Sequence, residues 1–178
     1  MNLRKTIKIS LWLCFFLFFF KKPVWAQNNS FITIVNPIRG GEFLSSTGTL
    51  LEKTMYQKEL ADSLGLSATW LLRSDAITSA SFSAYFKSLQ PKDELGIFLE
   101  ILPSLARESS VSYPRNGLFW HDANKIFLSG YIPEDRKKLI DTVFLKFKKV
   151  FGYFPKSVGA WHIDAYSAEY MRQKYGVT

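Results

Sequence analysis

Apolar runs alternate with amphipathic stretches along residues 27–178, and this alternation predicts repeated strand–helix units. Four short runs rich in β-branched and aromatic residues show little polar alternation, as in parallel strands that are covered on both faces. They span residues 31–36, 68–72, 95–101 and 157–161. Because parallel strands need crossover connections, the pattern predicts an α/β fold built from parallel β/α repeats.

Helical spacing of apolar residues fills the segments between these strands. Thr49 and Glu52 have the spacing of a capping box, and Gly65 is expected to end that helix. Thr78 is the expected cap of the next helix. Further helices are predicted over 103–108, 133–151 and 167–175.

The four units suit a barrel or a doubly wound sheet. We interpret residues 27–178 as the first four β/α units of a TIM-like barrel, with a complete small open sheet as the alternative. Residues 109–132 form a long connection with one short strand predicted at 126–128. Connections of this length in a compact domain are generally functional or disordered, and the aromatic residues of this one argue against disorder.

Residues 1–26 are organised like an export signal. Arg4, Lys5 and Lys8 precede an apolar run over 9–20, and Ala26 ends a segment suited to cleavage. The run has 12 residues, whereas a spanning helix needs roughly 20. A cleaved signal peptide and a secreted or envelope location are therefore predicted. An uncleaved membrane anchor is the alternative, because two lysines follow the run.

The charge of the chain falls once this signal is set aside. Five of the 23 basic residues and none of the 15 acidic residues lie in 1–26, so residues 27–178 carry a net charge of +3. That balance does not indicate a nucleic-acid partner. Cys14 is the sole cysteine, so a disulfide framework and a cysteine nucleophile are excluded for residues 27–178.

Polar residues follow each predicted strand, at the edge where parallel α/β folds place their sites. If the strands share one sheet, these residues converge. They are Asn36, Arg39 and Glu42 after the first strand, Arg73 and Asp75 after the second, Glu100 at the third, and His162 and Asp164 after the fourth.

Glu100 lies within an apolar segment, where an unpaired carboxylate is costly to bury. It is interpreted either as a general acid or base with a raised pKa or as an ion-pair partner of Arg73 or Arg39. His162 and Asp164 are read either as a catalytic base or metal ligand with its orienting carboxylate, or as a packed histidine beside a helix cap.

Other side chains suggest a metal or a sugar. His121, His162 and a carboxylate could together bind a divalent metal, but their spacing matches no ligand motif, so the cofactor is left open. Trp120 and Trp161 could stack against a sugar ring. Trp70 lies in an apolar strand and is expected in the core.

Several segments resemble the polysaccharide deacetylase family. Residues 67–72 resemble its second strand, 94–97 its third, 151–160 the approach to its fourth, and 170–177 the helix before its fifth. The resemblance spans 31–178 and implies the front half of that family's distorted β/α barrel. It also implies a hydrolase that acts on an envelope or extracellular polysaccharide.

Two departures from the family pattern affect the expected chemistry. The family's first strand ends in an Asp-Asp pair, where this chain has Asn36-Pro37, and its third strand is followed by two metal-binding histidines, where this chain has none after Glu100. The family's metal site therefore does not carry over.

Two functions follow as hypotheses. The first is a carbohydrate hydrolase of the deacetylase or glycosidase type, and the second is a non-catalytic glycan-binding or scaffold domain on the same barrel. Both predict a polysaccharide or oligosaccharide partner and membrane contact only through an uncleaved signal. The hydrolase would use Glu100, His162, Asp164 and Asp75 in catalysis and Arg39, Arg73, Trp120 and Trp161 in substrate binding.

Overall fold

The computed structural model describes residues 32–43, 48–89, 91–115 and 119–178. The predicted signal peptide lies outside the described residues. Within them, no helix has the length and apolar character needed to cross a membrane.

Four parallel strands form one sheet in the order β1-β2-β3-β4. The α/β class and the parallel β/α repeats are thus confirmed, and the sheet curls like half of a barrel. The strands are β1 (Ile34–Ile38), β2 (Ala68–Leu72), β3 (Glu94–Phe98) and β4 (Val158–Gly159).

Helices connect the strands and follow the last one. A 3-10 turn at Leu128–Gly130 precedes the longest helix. The helices are α1 (Gly48–Ser63), α2 (Ser74–Thr78), α3 (Ala80–Lys87), α4 (Pro103–Glu108), α5 (Ala123–Ile126), α6 (Pro133–Phe151) and α7 (Ala165–Tyr175).

The hydrophobic core lies between one face of the sheet and these helices. Because each strand pairs with the next along the chain, right-handed crossovers place the helices on the same face. Trp70, Leu72 and Ile97 point into this core, where the apolar face of α6 meets them through residues such as Phe144 and Phe147. The core position predicted for Trp70 is confirmed by its complete burial.

The other face of the sheet is thinly covered. Leu71 lies across two glycines, since a Cβ on Gly96 or Gly159 would stand only 2.6 or 2.4 Å from its methyl groups. Val35 on the same face is 48% exposed. At the carboxyl ends of the strands, this face borders the loops that carry Arg39, Arg73 and Glu100.

The prediction for the first strand was wrong in its limits and its burial. β1 continues through Pro37 to Ile38, and it is an edge strand of the described sheet with Val35 exposed. Proline is tolerated there because its missing N–H lies on the unpaired side. Asn36 therefore pairs within the sheet, opposite Trp70, and does not lie at the strand end.

Other predicted limits also change. Thr78 ends α2 and does not cap a helix, because the chain turns at Ser79 into α3. Residues 126–128 are not a strand but lie where α5 ends and the 3-10 turn begins. β3 ends at Phe98 and β4 has only two residues, so both are shorter than predicted. The predictions for β2, α4 and α6 are confirmed residue for residue.

A candidate binding cleft at the carboxyl end of the sheet

A cleft of about 420 Å³ opens at the carboxyl ends of the strands, and we call it the carboxyl-end cleft. The loops after β1, β3 and β4 supply three of its walls, and the segment around α5 supplies the remainder. Its lining residues are Arg39, Glu100, Trp120, His121, Ile126, Phe127 and Trp161.

Glu100 forms the base of the cleft. It follows β3 by two residues, and its neighbours Leu99 and Ile101 are buried in the core, which fixes its backbone. Its buried carboxylate accepts hydrogen bonds from Arg39 (Nε 3.1 Å, Nη2 2.8 Å), from Trp161 (Nε1 2.8 Å) and from Arg73 Nη1. Both arginines of the ion-pair interpretation therefore contact this carboxylate.

The charge state of Glu100 follows from these partners. Burial alone would raise the pKa of its carboxyl group, but hydrogen bonds from Arg39, Trp161 and Arg73 outweigh burial and lower the pKa. The raised pKa expected for a general acid is therefore not found. Glu100 is an anion whose oxygens are already engaged by several donors.

Arg73 and Asp75 continue this network away from the cleft. Arg73 is fully buried and donates from Nε (2.9 Å) and Nη2 (2.7 Å) to the carboxylate of Asp75. Asp75 also accepts from the backbone N–H groups of Gly40 and Glu42, each at 3.1 Å. Gly40 is required here, because a Cβ would lie 2.6 Å from Cγ of Asp75.

These contacts give Asp75 a positioning role. Burial raises the pKa of its carboxyl group, while the Arg73 guanidinium and the two backbone donors lower it by more, so the net pKa is depressed. Asp75 thereby ties the loop after β1 to the loop after β2.

Arg39 lies beside two adjacent aromatic rings at the edge of the cleft. Its guanidinium carbon is 5.6 Å from the ring centroid of Phe98 and 5.4 Å from that of Trp161, distances typical of cation–π contacts. Trp161 is 57% exposed, although its N–H bonds Glu100. The arrangement holds the indole in a fixed orientation while leaving much of it open to solvent.

Trp120 and His121 lie on the long connection. Trp120 stacks on Phe43 with ring centroids 5.3 Å apart, and His121 stacks on Phe119 at 5.2 Å. Asp122 accepts a hydrogen bond from the N–H of Phe119 at 3.1 Å, which closes this turn. Trp120 is 36% exposed, so two tryptophans, from different loops, line the cleft with accessible surface.

His162 and Asp164 do not form the predicted pair. The imidazole of His162 stacks on Phe127, with centroids 6.0 Å apart. Asp164 caps α7 by accepting from Ser167 N–H at 3.0 Å and Ser167 Oγ at 2.7 Å, and Arg136 is 3.0 Å from it. These bonds lower the pKa of Asp164 despite partial burial, which would raise it. The helix-cap interpretation describes its contacts.

The described residues contain no cluster of side chains that fits the predicted metal site. No three or more His, Cys, Asp or Glu side chains there are arranged to hold a metal ion. His121 and His162 stack on different phenylalanines, and the carboxylates of Glu100 and Asp75 bind arginines.

Three contributors to the cleft were not predicted from the sequence. Phe127 and Ile126 line it, and Phe43 supports Trp120. The first two fall in the segment that was assigned to a strand. Phe43 adopts φ = 67°, an uncommon backbone conformation for an aromatic residue, and only its proximity to Gly40-Gly41 hinted at a turn.

Comparison with known proteins gives no relative. No family model, no curated protein and no solved structure matches the chain. The resemblance to polysaccharide deacetylases therefore stays a prediction, and the cleft itself is the basis for a functional proposal.

Proposed function

We propose that the carboxyl-end cleft binds a carbohydrate and that this binding, without catalysis, is the function of residues 33–178. The exposed indoles of Trp120 and Trp161 carry the proposal, because both lie in the lining of one cleft. Aromatic rings offer a large apolar surface at low conformational cost, which suits the apolar face of a sugar ring. The cleft has the volume of a small-ligand site.

The contacts of the carboxylates support binding over hydrolysis. Glu100 and Asp75 are held by arginines, and Asp164 caps a helix. A general acid needs a pKa near the working pH, whereas the pKa values of all three groups are depressed.

The binding test is electrophoresis in native gels that contain soluble polysaccharides, with the full-length protein. We expect Trp161→Ala to weaken retention about tenfold or more, because buried aromatic anchors commonly contribute over 1.4 kcal/mol. Trp161→Phe keeps an aromatic ring but loses the pyrrole ring with its N–H, so it should retain more of the binding than Trp161→Ala. Tyr56→Ala is the matched control, since Tyr56 is an exposed aromatic residue on α1. Equal retention of wild type and Trp161→Ala would refute the proposal.

A hydrolase is the second candidate, because Glu100 and His121 both line the same cleft. An ionised carboxylate there could act as a base or a nucleophile on a glycosidic bond. Release of reducing sugar or acetate by the wild type, and its loss in Glu100→Gln, would favour this candidate. Binding without release of either product would favour the first.

We also propose that the four-stranded sheet is part of a larger TIM-like barrel. The N–H of Thr178 donates to Lys156 O at 3.1 Å, while Ser157 O and Gly159 O face β3. Since alternate carbonyls of a strand point to opposite sides, Thr178 lies on the outer edge of β4, where a fifth parallel strand would pair. A cooperative thermal transition of isolated residues 27–178 would count against this proposal.

Export through residues 1–26 belongs to the same proposal, since an envelope or extracellular glycan requires it. Amino-terminal sequencing of the protein from an exporting host tests it. Cleavage after Ala26 would support export, and a chain that keeps the segment while bound to the membrane would support the anchor alternative.

A further inference from the structure

We infer that the carboxyl-end cleft selects uncharged sugars over sugars that carry carboxylate or sulfate groups. This inference rests on the proposed carbohydrate-binding function and adds the chemical class of the ligand. It follows from the pairing of Arg39, the cationic side chain in the cleft, with Glu100.

Arg39 is the sole lysine or arginine among the described residues that line the cleft. Its Nε and Nη2 both donate to Glu100, at 3.1 and 2.8 Å, so this edge of the guanidinium faces the base of the cleft. Its guanidinium carbon also lies 5.6 Å from the ring centroid of Phe98 and 5.4 Å from that of Trp161. Arg39 therefore cannot turn toward a ligand without losing contact with a buried carboxylate.

The network behind Arg39 leaves no excess positive charge. Arg73 pairs with both Glu100 and Asp75, so two guanidinium groups face two carboxylates. Beside the cleft, Asp122 pairs with Lys125 at 3.3 Å. The carboxylate of Glu42, which accepts from Ser104, adds a further negative charge, so these groups give the cleft no excess of positive charge.

An anionic sugar would gain little in such a cleft. Recognition of a carboxylate or sulfate generally uses charge-assisted hydrogen bonds from an available cation. Here the anion would give up hydration close to Glu100 and receive no uncompensated charge in return. A neutral ring avoids that cost and still covers the indoles of Trp120 and Trp161.

The test compares retention in native gels that contain neutral or anionic polysaccharides, with full-length protein at pH 8, where histidine side chains in general are uncharged. The neutral probes are hydroxyethylcellulose, galactomannan and arabinoxylan, and the anionic probes are alginate and polygalacturonate. We expect retention by at least one neutral polymer to exceed that by both anionic ones by about tenfold, the value of one charge-assisted hydrogen bond. Stronger retention by an anionic polymer would overturn this inference alone. No retention in any gel would overturn the proposed function as well.

A charge-addition variant tests the cause of the selectivity without disturbing the buried network. His121→Lys places a new cation in the lining, and it should raise retention by alginate about tenfold. Tyr56→Lys changes the net charge by the same amount on the exposed face of α1 and should leave alginate retention at the wild-type level. Equal behaviour of the two variants would contradict the inference. Glu100→Gln should also gain alginate retention, because it removes the negative charge that compensates Arg39.

Discussion

Buried ion pairs lie at both ends of the same sheet, and a larger cleft opens at the carboxyl ends of the strands than at their amino ends. At the amino ends of the strands, Lys58 of α1 pairs with Asp93 at 3.0 Å and with Asp62. Asp93 also accepts from the N–H of Ala68 at 3.2 Å, so this cluster ties α1 to β2. At the carboxyl ends, Arg73 pairs with Glu100 and Asp75.

The two ends differ in the surface around the charges. The amino-end pair adjoins a smaller pocket of about 240 Å³ lined by residues such as Phe86, Leu95 and Tyr153. The carboxyl-end network stands beneath the exposed indoles of Trp120 and Trp161. Buried charge thus indicates an ordered backbone at both ends, and accessible aromatic surface distinguishes the end that is suited to a ligand.

The largest loss of stability is expected from the removal of Arg73. Arg73→Met leaves Asp75 with only backbone donors and Glu100 with Arg39 and Trp161, and breaking a buried pair typically costs about 3–5 kcal/mol. Urea denaturation measures the free energy of unfolding. Arg39→Met is the control, since Arg39 is partly exposed and its loss should cost less. A cost for Arg73→Met below that for Arg39→Met would contradict the larger contribution expected from the fully buried pairs of Arg73.

Acid should destabilise the protein through the same carboxylates. The folded-state pKa values of Asp75 and Glu100 lie below their ordinary values of 3.8 and 4.5. As the pH falls, the unfolded chain takes up these protons first, so their contribution is complete above about pH 5.5 and is lost as the pH falls through the folded pKa values. Chemical denaturation from pH 7 to pH 3 measures this loss. A wild-type profile no steeper than that of Arg73→Met would contradict it.

A smaller effect is expected at the amino ends of the strands. Asp93→Asn keeps an acceptor for Ala68 but leaves Lys58 with Asp62 alone, at a cost of about 2 kcal/mol. Lys92→Ala is the comparison, because Lys92 is a partly exposed ion-pair partner of Asp62. It should change the free energy of unfolding by less than about 0.5 kcal/mol. Neither variant should alter polysaccharide retention. Reduced retention by stable Asp93→Asn would link the amino end to binding and break the contrast between the two ends.

Local sequence pattern predicted the carboxyl-end network better than the amino-end pair. Glu100 stood out as a carboxylate inside an apolar segment, and Arg73 and Asp75 followed a strand whose limits were correct. Lys58 and Asp93 lay in segments that look solvated, a helix and a turn. Their burial depends on how α1 packs on the sheet, which no local pattern records.

Tertiary context also explains the other misses. The edge position of β1 depends on strand order, so Pro37 looked like a strand end although it lies within the strand. The segment around Phe127 is shaped by contacts with residues outside it, since the hydroxyl of Tyr131 donates to Lys125 O at 2.6 Å and the backbone N–H of Ile101 donates to Ile126 O at 3.0 Å. Such contacts turn an apolar run that resembles a strand into a helical turn.

The smallest change in stability is expected from substitutions of Asp164, which should leave ligand binding in the cleft intact. Asp164→Ala removes the cap of α7 and should cost about 1 kcal/mol, whereas Asp164→Asn keeps an oxygen acceptor for Ser167 N–H and should cost less. Both variants should keep wild-type retention in polysaccharide gels, because Asp164 binds its own helix and Arg136. Loss of any hydrolysis in Asp164→Asn, with stability nearly intact, would instead support the catalytic role predicted from the sequence, and loss of retention would give Asp164 a role in binding.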